Sequence, residues 1–100
     1  MEHIPRILII THDQNLRETV QALLAFEGYQ LQFMEPSQPV FPVLDQIAPD
    51  VILMDAAMPD SSERCQALKA HSSWQSIPII LLVPLGNDEL WEQGCNAGAD

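Results

Sequence analysis

Apolar positions fall into short clusters whose spacing alternates between two periods. Arg6–Thr11 is a short apolar, β-branched run and reads as a strand buried on both faces. After His12 and Asp13, the residues Leu16, Val20, Leu23, Leu24 and Glu27 follow at helical spacing. All but the last are apolar, so one helix face is expected to be buried. Asp13 suits the helix N-cap and Gly28 its C-terminal stop. Tyr29–Phe33 alternates strictly, which puts Tyr29, Leu31 and Phe33 on one side of a second strand. Pro36, Pro39 and Pro42 exclude a long helix across that stretch. A short one with Pro42 near its first turn can carry Val43, Leu44 and Ile47 inward.

The pattern then repeats. Val51–Met54 is a second buried run ending on Asp55, followed by a loop from Ala56 to Ser61. Ser61 or Ser62 is expected to cap a helix holding Cys65 and Leu68, broken at His71. Ile79–Val83 is a third buried run, between Pro78 and Pro84. Asn87 or Asp88 can cap a last helix with Leu90, Trp91 and Ala97, weakened by Gly94 and Gly98. The order β-α-β-α-β-α-β-α predicts an α/β fold, an open, doubly wound parallel sheet covered on both faces. The Pro36–Pro42 stretch reads as a loop within one domain spanning residues 1–100.

Composition narrows the function. The chain has 100 residues, the size of one small domain, and 47% of them are apolar. Its net charge of −10 argues against nucleic-acid binding by this segment and against an anionic membrane surface. No apolar run approaches the roughly 20 residues that span a bilayer, and residues 1–6 lack a secretory start. Two cysteines, Cys65 and Cys95, do not make a disulfide framework and read as small core residues of a cytoplasmic protein. Trp74 and Trp91 read as packing anchors, His3 and His71 as surface residues.

Ligands of open parallel sheets bind at the carboxyl ends of the strands. The first strand delivers His12 and Asp13 there, the third Asp55, the fourth Val83. Adjacent first and third strands would bring Asp13 and Asp55 together, and two carboxylates favour a hard dication such as Mg²⁺.

These pieces resemble the receiver domain of two-component response regulators. The likeness is carried by Ile7–Asp13, by Pro49–Asp55 with Met58-Pro59-Asp60, by Ile77–Leu82 and by Ala97–Asp100. It implies a flavodoxin-like sheet ordered 2-1-3-4. It also implies that Asp55 accepts a phosphoryl group from a histidine kinase or phosphotransfer protein, or from a small phosphodonor. By the same resemblance Asp13, Asp55 and the backbone carbonyl of Ala57 hold Mg²⁺.

The chain departs from that pattern in several places. The acidic pair is His12-Asp13, where the family has two acids. His12 reads as a polar residue at the rim of the site, with a ligand role as the alternative. Val83 stands at the switch position, where the family's hydroxyl bonds the phosphoryl group. Glu63 replaces a glycine of the following loop, and Pro84 a small residue. The chain also stops at Asp100, before the family's fifth strand, its lysine and its last helix. An exposed fourth strand then suggests a homodimer through that edge. The alternative function is a pseudo-receiver, an interaction module that is not phosphorylated. A small hydrolase on the same sheet is disfavoured, because no nucleophile elbow or Gly-rich phosphate loop is present.

Overall fold

The computed structural model describes residues 4–24, 27–35, 39–57 and 61–83, together with Glu89 and Glu92. Four strands, β1 (Arg6–Ile10), β2 (Gln30–Met34), β3 (Val51–Asp55) and β4 (Ile79–Leu82), alternate with α1 (Gln14–Leu24), α2 (Val40–Ile47) and α3 (Ser61–Ala70). The strands form one sheet in the order β2-β1-β3-β4, every neighbouring pair parallel. The α/β fold and the strand order expected from the sequence are therefore both found. The last predicted helix, with Leu90, Trp91, Cys95 and Ala97, lies outside the described residues apart from Glu89 and Glu92, which are helical. So do Met58–Asp60, Pro84, residues 36–38 and Ala97–Asp100.

Alternation along the strands builds two cores. Leu8, Ile10, Met34, Ile52, Met54 and Ile79 join Leu44 of α2 and Cys65 and Leu68 of α3 on one face. Trp74 and Ile77 pack against the same cluster. Ile7 and Ile9 meet Val20 on the other face, with Leu16 and Leu24 of α1, Leu31, Phe33 and Leu53 beside them. The sheet is thus covered on both sides, which explains the unbroken apolar runs of β1 and β3.

Several local details differ from expectation. Leu23 is 72% exposed. At 100° per residue, Leu16, Val20 and Leu24 define the buried arc, and Leu23 lies beyond its edge. Strand β2 starts one residue later than predicted, leaving Tyr29 exposed and burying Met34 on the opposite face. Ile80 is 42% exposed, so β4 is not buried on both faces. Glu63 is not in a loop. It sits in the first turn of α3, with Lys69 in the last turn, and both charges suit the helix dipole. Ser61 is the first residue of α3 and donates its hydroxyl to the Ala56 carbonyl at 3.1 Å, tying the helix to the loop after β3.

Helix α2 begins after Pro39, which makes no side-chain cap, so Pro42 is its third residue. The missing N–H of Pro42 is one of those a first turn leaves without a helical partner. The helix ends on Ala48 in the left-handed region, φ 50° and ψ 63°, with its N–H on the Leu44 carbonyl at 2.8 Å. At the amino end of the sheet Arg6 fastens β1 to its surroundings. Its N–H donates to Asp50 Oδ2 at 2.8 Å, and its guanidinium reaches the Ile47 carbonyl and Gln30 Oε1.

The left-handed conformation costs an L-residue about 1–2 kcal/mol, partly offset in glycine by a more flexible unfolded chain. Ala48→Gly is therefore expected to stabilise the protein by about 0.5–1 kcal/mol, read as a higher urea midpoint at unchanged slope. A lower midpoint would show that the αL cap is not the dominant strain there.

Candidate functional site

The pairing register of β1 and β3 places the central residues. Ile7 sits opposite Val51 and Ile10 opposite Met54. The next residues along each strand, Thr11 and Asp55, therefore come side by side at the carboxyl end of the sheet. Alternation puts both on the α1 face, the side of Ile9 and Leu53. Thr11 Oγ1 donates to Asp55 Oδ2 at 2.8 Å, and the Ala57 N–H donates to Asp55 Oδ1 at 2.9 Å. Thr11 is fully buried and Asp55 is 7% exposed. A carboxyl group so far from water needs hydrogen-bond donors in place of its hydration, and here each oxygen has one.

Asp13 enters from the start of α1. Its Oδ1 accepts the N–H groups of Asn15 at 2.9 Å and Leu16 at 3.4 Å, the geometry of an N-cap. Its own N–H donates to Thr11 Oγ1 at 3.1 Å. Asp13, Leu16, Asp55, Ala57, Leu82 and Val83 line one pocket of about 230 Å³. Thus the structure gathers Asp13, Asp55, Ala57 and Val83 at one opening, as the sequence suggested. His12 is exposed and does not line it.

Thr11, which the sequence pattern does not single out, is the residue of β1's carboxyl end that bonds Asp55. The signal for Thr11 was available. Aligning the two apolar runs, Ile7 with Val51, sets Thr11 opposite Asp55 and leaves Asp13 two residues further, on the helix. Also missed was Arg17, which donates from Nε and a terminal nitrogen to the Thr11 carbonyl at 3.2 and 2.8 Å. Arg17 pairs with Glu35 at 2.6 Å and lies 5.8 Å from the Phe33 ring centroid, bracing the ends of β1, β2 and α1 together.

The donor set suits a hard dication. Asp13 and Asp55, both with carboxylate oxygens, line one pocket together with Ala57. Mg²⁺ takes one or two carboxylates and keeps several waters, so two acids suffice. A softer metal would want more nitrogen or sulfur ligands. No group of three His, Cys, Asp or Glu able to hold a metal occurs among the described residues.

Comparison with known proteins bears on what the pocket is for. Residues 7–100 match the family described as response regulator receiver domain. The chain is 33% identical over 96 residues to the phosphate regulon transcriptional regulatory protein PhoB of Pseudomonas aeruginosa, covering 94% of this chain and 42% of that protein. It is 32% identical over 99 residues to the DNA-binding dual master transcriptional regulator RpaA of Synechocystis, covering 97% of this chain and 41% of that one. The chain thus spans less than half the length of these relatives. The structure resembles the signal receiver domain of a signal transduction histidine kinase from Syntrophus aciditrophicus, with a TM-score of 0.82 and 28% identity, covering 96% of this chain and 74% of the other.

The two uses of Asp13 can be separated. Asp13→Ala removes the cap of α1 and is expected to cost about 1 kcal/mol. Asp13→Asn, an equally good cap, is expected to stay within about 0.5 kcal/mol of the parent. Urea unfolding followed by circular dichroism reads both. Equal losses in the two variants would mean that charge, not capping, is what Asp13 gives to stability.

Proposed function

This chain belongs to the response regulator receiver domain family, and from that premise we propose that it accepts a phosphoryl group on Asp55, with Asp13, Asp55 and the Ala57 backbone carbonyl holding Mg²⁺. The observation that carries the reading is the state of Asp55. It is a buried carboxylate at the end of β3, held through both oxygens, and it opens on a pocket shared with a second carboxylate.

In the transfer, an Asp55 oxygen forms a new O–P bond while the bond from phosphorus to the donor's leaving group breaks. The electron pair leaves with that group, and Asp55 becomes an acyl phosphate. When bound, Mg²⁺ supplies positive charge against the phosphoryl oxygens. The chain's own groups do the rest. The Thr11 hydroxyl and Ala57 N–H aim the carboxylate. Asp13 brings the charge that attracts the cation. Leu16, Leu82 and Val83 line the remaining wall, limiting the water beside the reacting atoms. A pocket of about 230 Å³ admits a phosphoryl group with several waters, each occupying about 30 Å³ in the liquid.

Val83 lines the pocket without a hydroxyl, so it offers the phosphoryl group no hydrogen bond. A bond to a charged group is worth about 1.5–3 kcal/mol, and the response that depends on it is correspondingly weaker in this chain. The donor in this reading is a histidine kinase or phosphotransfer protein, and the setting the cytoplasm. Among the described residues no helix is long and apolar enough to cross a membrane. Self-association along β4 belongs to the same reading. That strand is an edge among the described residues and carries the exposed Ile80. A sedimentation mass that stays at one chain across concentration would overturn it.

Incubation of the full-length protein with acetyl phosphate and Mg²⁺ is expected to add the mass of one phosphoryl group to the parent and none to Asp55→Asn. Asp13→Asn is expected to need about tenfold more Mg²⁺ for the same yield. An unmodified parent would refute the assignment and leave the pseudo-receiver, whereas equal modification of Asp55→Asn would refute it by placing the phosphoryl group on another residue.

A further inference from the structure

Asp55 ends in an sp³–sp² torsion, which is soft in isolation. Two hydrogen bonds remove that softness here, one on each oxygen and from different parts of the fold. The Ala57 N–H comes from the loop after β3, and the Thr11 hydroxyl from the end of β1. The hydroxyl is itself oriented. Thr11 Oγ1 accepts the Asp13 N–H at 3.1 Å, so its own proton is left for Asp55 Oδ2, 2.8 Å away. The backbone carrying it is fixed in turn. The Thr11 N–H donates to the Met34 carbonyl at 3.3 Å, and the Thr11 carbonyl takes two bonds from Arg17.

We propose that Thr11 is the positioning residue for Asp55, whose hydroxyl holds the carboxylate in the orientation from which it meets phosphorus. The proposal rests on Asp55 being the phosphoacceptor. Attack requires reacting atoms about 3–3.5 Å apart and aligned, and a misplacement of about 1 Å can cost about a hundredfold in rate. A side chain at position 11 with similar shape but no donor leaves Oδ2 unheld and the carboxylate free to turn about its last torsion. Serine keeps the donor and loses only a methyl group.

The test compares the full-length parent with Thr11→Val, Thr11→Ser and Asp55→Asn, using acetyl phosphate and Mg²⁺. Thr11→Val is expected to lower the maximal rate of Asp55 phosphorylation by about tenfold or more. The half-saturating acetyl phosphate concentration should be unchanged, because the donor's own binding contacts remain. Thr11→Ser is expected to return most of the rate. Thr11→Ala, which leaves room for a water beside Oδ2, replaces Thr11→Val if that variant does not fold. A parent-like rate in Thr11→Val, or an equal loss in Thr11→Ser, overturns the proposal.

The Ala57 amide resonance in the unphosphorylated protein gives a second readout, since that N–H touches the same carboxylate. It is expected to shift in Thr11→Val and to return in Thr11→Ser. If the parent takes no phosphoryl group at Asp55, the assignment of Asp55 fails by itself. The Ala57 resonance then still decides Thr11, because an unmoved signal in Thr11→Val means that the hydroxyl does not hold the carboxylate.

Discussion

The parallel pairing of β1 with β3 is the constraint from which the site follows. These strands are joined in register, Ile7 to Val51 and Ile10 to Met54, although a helix, a strand and another helix separate them in sequence. The period of two then decides which side chains share a face. A slip of one residue would turn Asp55 away from Thr11 and send the inward set of β3 to the other core. The register is held firmly because both faces of β1 are buried, so any slip would force apolar residues out of two cores at once. Arg6 and Asp50 add a fastening at the opposite end, exchanging main-chain and side-chain bonds where the two strands begin.

Burying Asp55 sets a second requirement. A carboxylate removed from water is stable only where donors replace its hydration. The fold supplies a hydroxyl from β1 and an amide from the loop after β3, both neutral, and a second carboxylate across the pocket. The arrangement places two acidic residues at one opening, a donor set of the kind hard dications take. The residues bracing it serve two purposes. Asp13 caps α1 and lines the pocket, and Thr11 closes a strand while bonding Asp55. Stability and the geometry of the pocket are therefore coupled at these positions.

Membership of the receiver family agrees with this physical reading, and this chain's departures have local meanings. Val83 stands on the pocket wall and brings no hydroxyl to it. His12 is exposed and does not line the pocket. Glu63 lies in a helix turn where its charge is favourable.

The alternation of elements, the two-sided burial of β1 and β3, the cap at Asp13 and the acid at the end of β3 are legible in the amino-acid order alone. Each is written in local periodicity or in one residue's bonding habits, and neither needs a distant partner to be recognised. Tertiary structure decided which residue stands beside Asp55. Cross-strand register depends on how two buried runs settle against both cores, and no single run carries that information. It also decided that Leu23 and Ile80 stay exposed, because burial depends on what a neighbouring element covers, and that Ala48 ends α2 in a conformation usually left to glycine. For the register and for both exposed residues the deciding energy lies in contacts between segments far apart in the chain.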